Sequence, residues 1–328
     1  MTNANNLTRG ATPDLPADLP AAQPASQPMA SGANSKADPH GVFSGLWIPL
    51  ITPFRDQAVD HTALAQLVQH YCKTGVAGFV VCGSTGEAAA LADAEQLSVL
   101  DTVLTTVAQT RPGLPVVMGL SGYNLAQTQA WVQTLSSHPV DGLLVPPPHY
   151  IRPSQAGLLR WFEVIADVSA TPLIVYDIPQ RTGVMIDIAT LLKLAAHPNI
   201  KAVKDCGGDA AKTHALIADG RLAVLAGDDL QIFSTVALGG AGAIAASAHV
   251  HTEQFAEVIL RLQLGTLKEA RAVWMPLVPV IEAMFAEPNP ASIKAALARE
   301  GWIANELRAP MMAAMMAGMM AAMMAGMS

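Results

Sequence analysis

Lys204 closes an apolar stretch that reads Asn199-Ile200-Lys201-Ala202-Val203-Lys204-Asp205-Cys206-Gly207-Gly208, the pattern of a short strand running into a loop. A lysine held among apolar side chains loses solvation in its charged form, so its pKa falls. Bringing an amine from about 10.4 to about 7.5 takes roughly 4 kcal/mol of differential interaction. An amine tuned in this way attacks ketones and forms Schiff bases. The same lysine could instead run its stem along the apolar surface and hold its head in water. The stretch itself leaves both readings open.

Other polar residues collect at comparable points. Gly83-Ser84-Thr85-Gly86-Glu87 is a glycine-flanked turn with two hydroxyls, suited to holding a small carboxylate with its N–H groups, or simply a tight turn that caps a helix. Pro146-Pro147-Pro148-His149-Tyr150-Ile151-Arg152-Pro153 is a stiff loop that projects a tyrosine. Tyr176-Asp177-Ile178-Pro179-Gln180-Arg181-Thr182-Gly183 and Gly227-Asp228-Asp229 complete the set. Each has a structural reading: Tyr176 as core, Arg181 in a surface ion pair, Asp228-Asp229 as a helix cap. Taken together, a lysine, two tyrosines, a hydroxyl turn and an arginine suit carboxylate recognition and carbonyl chemistry.

The elements that must position them alternate. Short apolar runs at 46–51, 77–82, 115–120, 141–145, 172–176, 200–204, 222–226 and 242–246 predict strands. Stretches of helical period follow near 62–73, 93–109, 124–137, 154–168, 187–196, 209–218, 229–237 and 252–264. This rhythm predicts an α/β protein, a (β/α)8 TIM barrel over residues 41–265, with its chemistry at the C-terminal ends of the strands. No GxGxxG follows the first strand, which disfavours an open dinucleotide-binding sheet. Helical stretches near 267–285, 290–300 and 304–326 predict a C-terminal helical segment over 266–328. Its Met/Ala-rich end holds nine of the chain's 15 methionines and reads as a helix packed on its own protein or a subunit neighbour, with a frayed low-complexity tail and soft-metal binding through thioethers as the other readings. Residues 1–40 are rich in Ala, Pro, Asn and Ser and read as a disordered leader.

Composition narrows the function. The 328 residues are 51% hydrophobic with a net charge of −7, enough for a large core. The absence of long basic runs argues against nucleic acid. Cys72, Cys82 and Cys206 match no zinc spacing and their odd number argues against a disulfide framework, so no metal is expected. Neither a secretory signal nor a membrane helix is expected, and a cytoplasmic location is the default.

On Gly83–Glu87, Tyr176–Gly183, Lys204, Gly227-Asp228-Asp229, and Glu287-Pro288-Asn289-Pro290 with Lys294, the chain resembles the dihydrodipicolinate synthase / N-acetylneuraminate lyase family of class I aldolases. The resemblance runs from about Gly45 to Pro310. It implies that Lys204 forms a Schiff base with pyruvate and that Tyr176 moves protons. Ser84 and Tyr150 would complete a relay, Tyr150 by reaching into a neighbouring subunit's site. Thr85 would hold the pyruvate carboxylate, and the backbone at Gly227 and Ile244 would line the pocket. No cofactor is implied. The Arg181 motif resembles that of the synthase branch, where the arginine binds a carboxylated aldehyde, L-aspartate semialdehyde. A homotetramer built from tight dimers is implied as well. Asp177 stands where the family more usually has asparagine, adding a possible negative charge beside Tyr176. At positions matching the family's lysine-feedback pocket the chain carries Ala88, Asp93, Gln96, Tyr123, Gln127 and His149, which predicts weak or absent inhibition by lysine.

Overall fold

The computed structural model describes Gly41 and residues 43–314. The expected leader at 1–40 and most of the methionine-rich end lie outside the described residues.

Eight parallel strands close into a barrel: β1 (Gly45–Pro49), then, after a two-stranded hairpin of β2 (Phe54–Arg55) and β3 (Ala58–Val59), β4 (Gly78–Val81), β5 (Val116–Gly119), β6 (Gly142–Val145), β7 (Leu173–Asp177), β8 (Ile200–Asp205), β9 (Ala223–Ala226) and β10 (Gly242–Ile244). Each neighbours the next in the barrel, and β10 returns to β1. The predicted barrel is therefore present, with every predicted strand within three residues of its observed ends. The runs were legible because barrel strands are covered on both faces and read as continuous apolar segments. The hairpin went unpredicted, being only four paired residues long.

Two apolar layers follow from the period of two along each strand. Ile174 and Tyr176 of β7, Ala202 of β8 and Ile244 of β10 point into the barrel with Trp47, Val80, Val117 and Leu144. Leu173, Val175 and Val203 point outward to the helices. Trp47 fills the interior because Gly78 leaves it room: a Cβ there would lie 2.3 Å from the indole.

The helices between strands start at ordinary caps. Asp60 accepts from the Ala63 N–H at 2.9 Å and Ser154 from Gly157 at 3.3 Å. Beyond the barrel the expected helix over 267–285 is two, Leu267–Trp274 and Leu277–Met284. Pro276 lies between them and cannot donate to the ladder of a continuous helix. Ala291–Arg299 forms the next helix as predicted. The expected helix at 304–326 is not formed over its described part, 304–314, which is irregular. There Glu306 and Arg308 are spent on long-range bonds: Glu306 accepts from the Gln57 N–H at 2.5 Å, and Arg308 makes a two-point ion pair with Glu95. Among the described residues no helix is long and apolar enough to cross a membrane.

Candidate active site

Tyr176 and Lys204 are register partners on β7 and β8, so both side chains enter the barrel at its C-terminal mouth. The Lys204 Nζ lies 4.4 Å from the centroid of the Tyr176 ring. The Lys204 Nζ makes no hydrogen bond among the described residues, and burial pulls its pKa below the usual lysine range, with Arg181 adding to the shift and Cys206 and Asp229 opposing it. The charged-head-in-water alternative fails, since the residue is 5% exposed. Burial also raises the Tyr176 pKa, so its phenol keeps the proton; Cys206 adds to this, while Ser84 and Arg181 work against it.

The turn after β4 supplies the second side. Cys82 and Glu87 adopt left-handed backbone, φ 53° and 55°, and bracket Ser84 and Thr85. Neither the Ser84 nor the Thr85 N–H has a hydrogen-bond partner among the described residues, which leaves a concave pair of donors suited to a carboxylate. Thr85 is buried and its hydroxyl accepts from Asn289 Nδ2 at 2.9 Å. The turn is tied underneath by Thr52, whose hydroxyl donates to the Gly86 carbonyl at 2.7 Å, and by an ion pair between Glu87 and Lys294.

Two cavities meet at Tyr176. One, of about 600 Å3, is lined by Thr85, Lys204, Cys206, Gly227 and Asp229. The other, of about 400 Å3, is lined by Ser84, Leu120, His149 and the arm Arg308–Met311. Tyr176, Ile178, Arg181 and Asn289 border both. Arg181 is exposed and donates from Nη2 to the Asn289 carbonyl at 3.4 Å. Gly227 must lack a side chain: a Cβ would stand 2.5 Å from the Cys206 sulfur and 2.7 Å from Lys204 Cγ.

The structure thus brings together Lys204, Tyr176, Ser84, Thr85, Arg181 and Gly227. Ile244 is in the barrel's inner layer with Tyr176 and does not border either cavity. Tyr150 is 88% exposed, at φ 77°, and borders neither cavity of its own chain. Asp93, Gln96, Tyr123 and Gln127 share a separate cavity of about 590 Å3, while Ala88 and His149 border the chamber of Ser84.

Several partners had no sequence signal. Asp177 does not add a free negative charge to the site. It is fully buried on the outward side of β7, in an ion pair with Lys212. Its other oxygen accepts from the Ile186 N–H at 3.3 Å. Asn289 appeared in a motif without a role, and here it holds Thr85 and receives Arg181. Asp228 caps the turn that follows it, accepting from Leu230 at 3.2 Å, whereas Asp229 turns inward and is buried. No group of three or more His, Cys, Asp or Glu that could hold a metal ion occurs among the described residues.

Comparison with known proteins identifies a family with this fold. The sequence model of the dihydrodipicolinate synthetase family matches residues 42–322. A 4-hydroxy-tetrahydrodipicolinate synthase of Clostridium acetobutylicum is 38% identical over 271 residues, covering 82% of this chain and 94% of the relative. The dihydrodipicolinate synthase of Thermotoga maritima superposes with a TM-score of 0.83 at 28% identity, over 87% of this chain and 98% of that one. The chloride-inhibited dihydrodipicolinate synthase of Acinetobacter baumannii, solved with pyruvate, gives 0.82 at 28% identity over 87% and 97%. The chain belongs to the dihydrodipicolinate synthetase family.

Proposed function

We propose that the protein is a Schiff-base synthase that condenses pyruvate with L-aspartate semialdehyde to 4-hydroxy-tetrahydrodipicolinate. The observation that carries this reading is Lys204, buried, its Nζ without a hydrogen-bonding partner among the described residues, and set against Tyr176 and the carboxylate-sized nest of Ser84 and Thr85. The neutral amine attacks the ketone carbon of pyruvate, water leaves, and the imine draws electrons from the methyl group so that it can lose a proton. The enamine then attacks the aldehyde, whose oxygen takes a proton and becomes the 4-hydroxyl, and the amino group of the semialdehyde adds to the imine carbon, closing the ring and expelling Lys204 as the free amine. Tyr176, which holds its proton, and the Ser84 hydroxyl beside it serve as the positioned proton carriers. Thr85 and its turn grip the pyruvate carboxylate, and Arg181 at the junction of the two chambers takes the carboxylate of the acceptor.

Tyr150 fits a role in a second copy of the chain. A tyrosine standing almost wholly in solvent beside Ile151, itself 53% exposed, supports a homo-oligomer in which the relay is completed across an interface, as a tetramer of tight dimers. Three free, buried cysteines fit a reducing cytoplasm. The substituted residues of the lysine-feedback positions support weak or absent inhibition by lysine, and an inhibition constant below millimolar would defeat that reading.

The test is product formation from pyruvate and L-aspartate semialdehyde, coupled to a dihydrodipicolinate reductase. Turnover above about 1 s⁻¹, an ordinary enzyme rate, is expected. Negligible turnover with a pyruvate adduct on Lys204 would keep the chemistry and discard the acceptor. Sugar acids and hydroxy-oxo acids would then be the substrates to try.

A further inference from the structure

Asp229 is 1% exposed, and only one of its two carboxylate oxygens is satisfied. Oδ2 accepts from the Ser247 N–H at 2.7 Å and from the Ser247 hydroxyl at 2.6 Å. Those two bonds fix the side chain and leave Oδ1 buried with no hydrogen-bond partner, at the wall of the chamber that holds Lys204. The neighbouring Asp228 already performs the capping, so local turn formation does not account for Asp229. A buried charge without a full set of bonds persists where a cation offsets it.

The groups around the chamber limit which cation that is. From β8 come Lys204 and Cys206, from β7 and its following turn Tyr176 and Arg181, and from the C-terminal segment Glu282 and Glu287; Asp228 precedes Asp229. Asp205 is engaged elsewhere, accepting from the Thr213 hydroxyl at 2.6 Å. Among the described residues that line the chamber, Arg181 and Lys204 are the only cations, and Arg181 is exposed while Lys204 is buried.

We propose that Asp229 is the counter-charge of Lys204, acting through the lysine rather than on pyruvate, as an electrostatic positioning residue. Its unpaired oxygen balances the positive nitrogen in both of that nitrogen's charged forms, the resting ammonium and the imine. The inference rests on the Schiff-base reading of Lys204. In that reaction the amine nitrogen bonds to the ketone carbon, and the ketone oxygen leaves as water with one proton from the amine and one from solvent. The nitrogen keeps one hydrogen and a full positive charge. That charge develops in a chamber where an anion is worth more than in water. Burial outweighs the Ser247 bonds, the Lys204 charge and the nearby Ala246 N–H, and leaves the Asp229 carboxyl raised to about 6. The carboxylate therefore persists at neutral pH and is lost under mild acid.

The test is the rate at which full-length protein acquires a pyruvate adduct on Lys204 under cyanoborohydride, read by mass across a pH series. Asp229→Asn suits the purpose, because the amide oxygen can take both Ser247 bonds while its nitrogen occupies the unpaired position. Without the anion the ammonium loses its proton more readily. The midpoint of the rate should move to lower pH by about one unit, and the imine occupancy at subsaturating pyruvate should fall several-fold. Ser247→Ala removes one bond that keeps Asp229 charged and should move the midpoint the same way by less; it carries the test if Asp229→Asn does not fold. A wild-type adduct whose midpoint and occupancy are unchanged in the folded variant would overturn the counter-charge role alone. A wild-type protein that forms no adduct would overturn the Schiff-base reading beneath it.

Discussion

Lys204 and Lys294 are both buried, 5% and 0% exposed, and both lie over aromatic rings, Tyr176 at 4.4 Å and Phe54 at 4.2 Å. They differ in what holds the ammonium. Lys294 is ion-paired with Glu87 and donates to the Glu306 carbonyl at 2.9 Å. Lys204 has no bonded anion among the described residues, only the Asp229 carboxylate across its chamber. Burial draws both below the usual lysine range, and at Lys294 the Glu87 carboxylate acts against that shift through both its charge and its hydrogen bond. Burial alone therefore does not make a nucleophile. A lysine becomes one where no anion bonds its nitrogen beside an open cavity, and becomes a structural rivet where a carboxylate is bonded to it.

The comparison can be broken most severely at Lys204. Lys204→Ala should lower turnover by about a thousandfold or more, since the nucleophile itself is gone, and the mass-detected pyruvate adduct should vanish while circular dichroism is unchanged. Next in size is Lys294→Met, which strands Glu87 in the interior. It should cost about 3–5 kcal/mol of stability, read by denaturant titration, whereas Lys204→Met should cost little because it strands no bonded carboxylate. Equal losses for the two methionine variants would remove the distinction. The smallest effect is expected at Arg181, outside both pairs. Arg181→Ala should weaken use of the aldehyde by about 10- to 150-fold in kcat/KM while the pyruvate adduct forms normally. Normal handling of the acceptor would take away the chief support for a carboxylated aldehyde.

The same contrast explains what could be read in advance. Strands such as Val116–Gly119 were legible because burial on both faces writes an apolar run into the chain. Lys204 was legible because a lysine ending such a run is rare enough to notice. What joins the pieces was not legible. Asn289 and Thr85 are 204 residues apart, and Asp177 and Lys212 are 35 apart; no local pattern announces either pairing. The opposite duties of Asp228 and Asp229 follow from which way each side chain turns, which the dipeptide does not encode. Over its described part, 304–314, the expected helix is not formed: Ala and Met favour helix locally, while Glu306 and Arg308 are held at the hairpin and at Glu95. Tertiary bonds there outweigh propensity.

The arm Arg308–Met311 that walls the chamber of Ser84 has a consequence for synthesis. Every barrel strand precedes it in the chain. A ribosome therefore delivers Lys204, Tyr176 and the Ser84 turn before the segment that encloses them, and a nascent chain can have a closed barrel while its mouth is still missing a wall. The mouth is thus walled by a segment made after every strand that it covers.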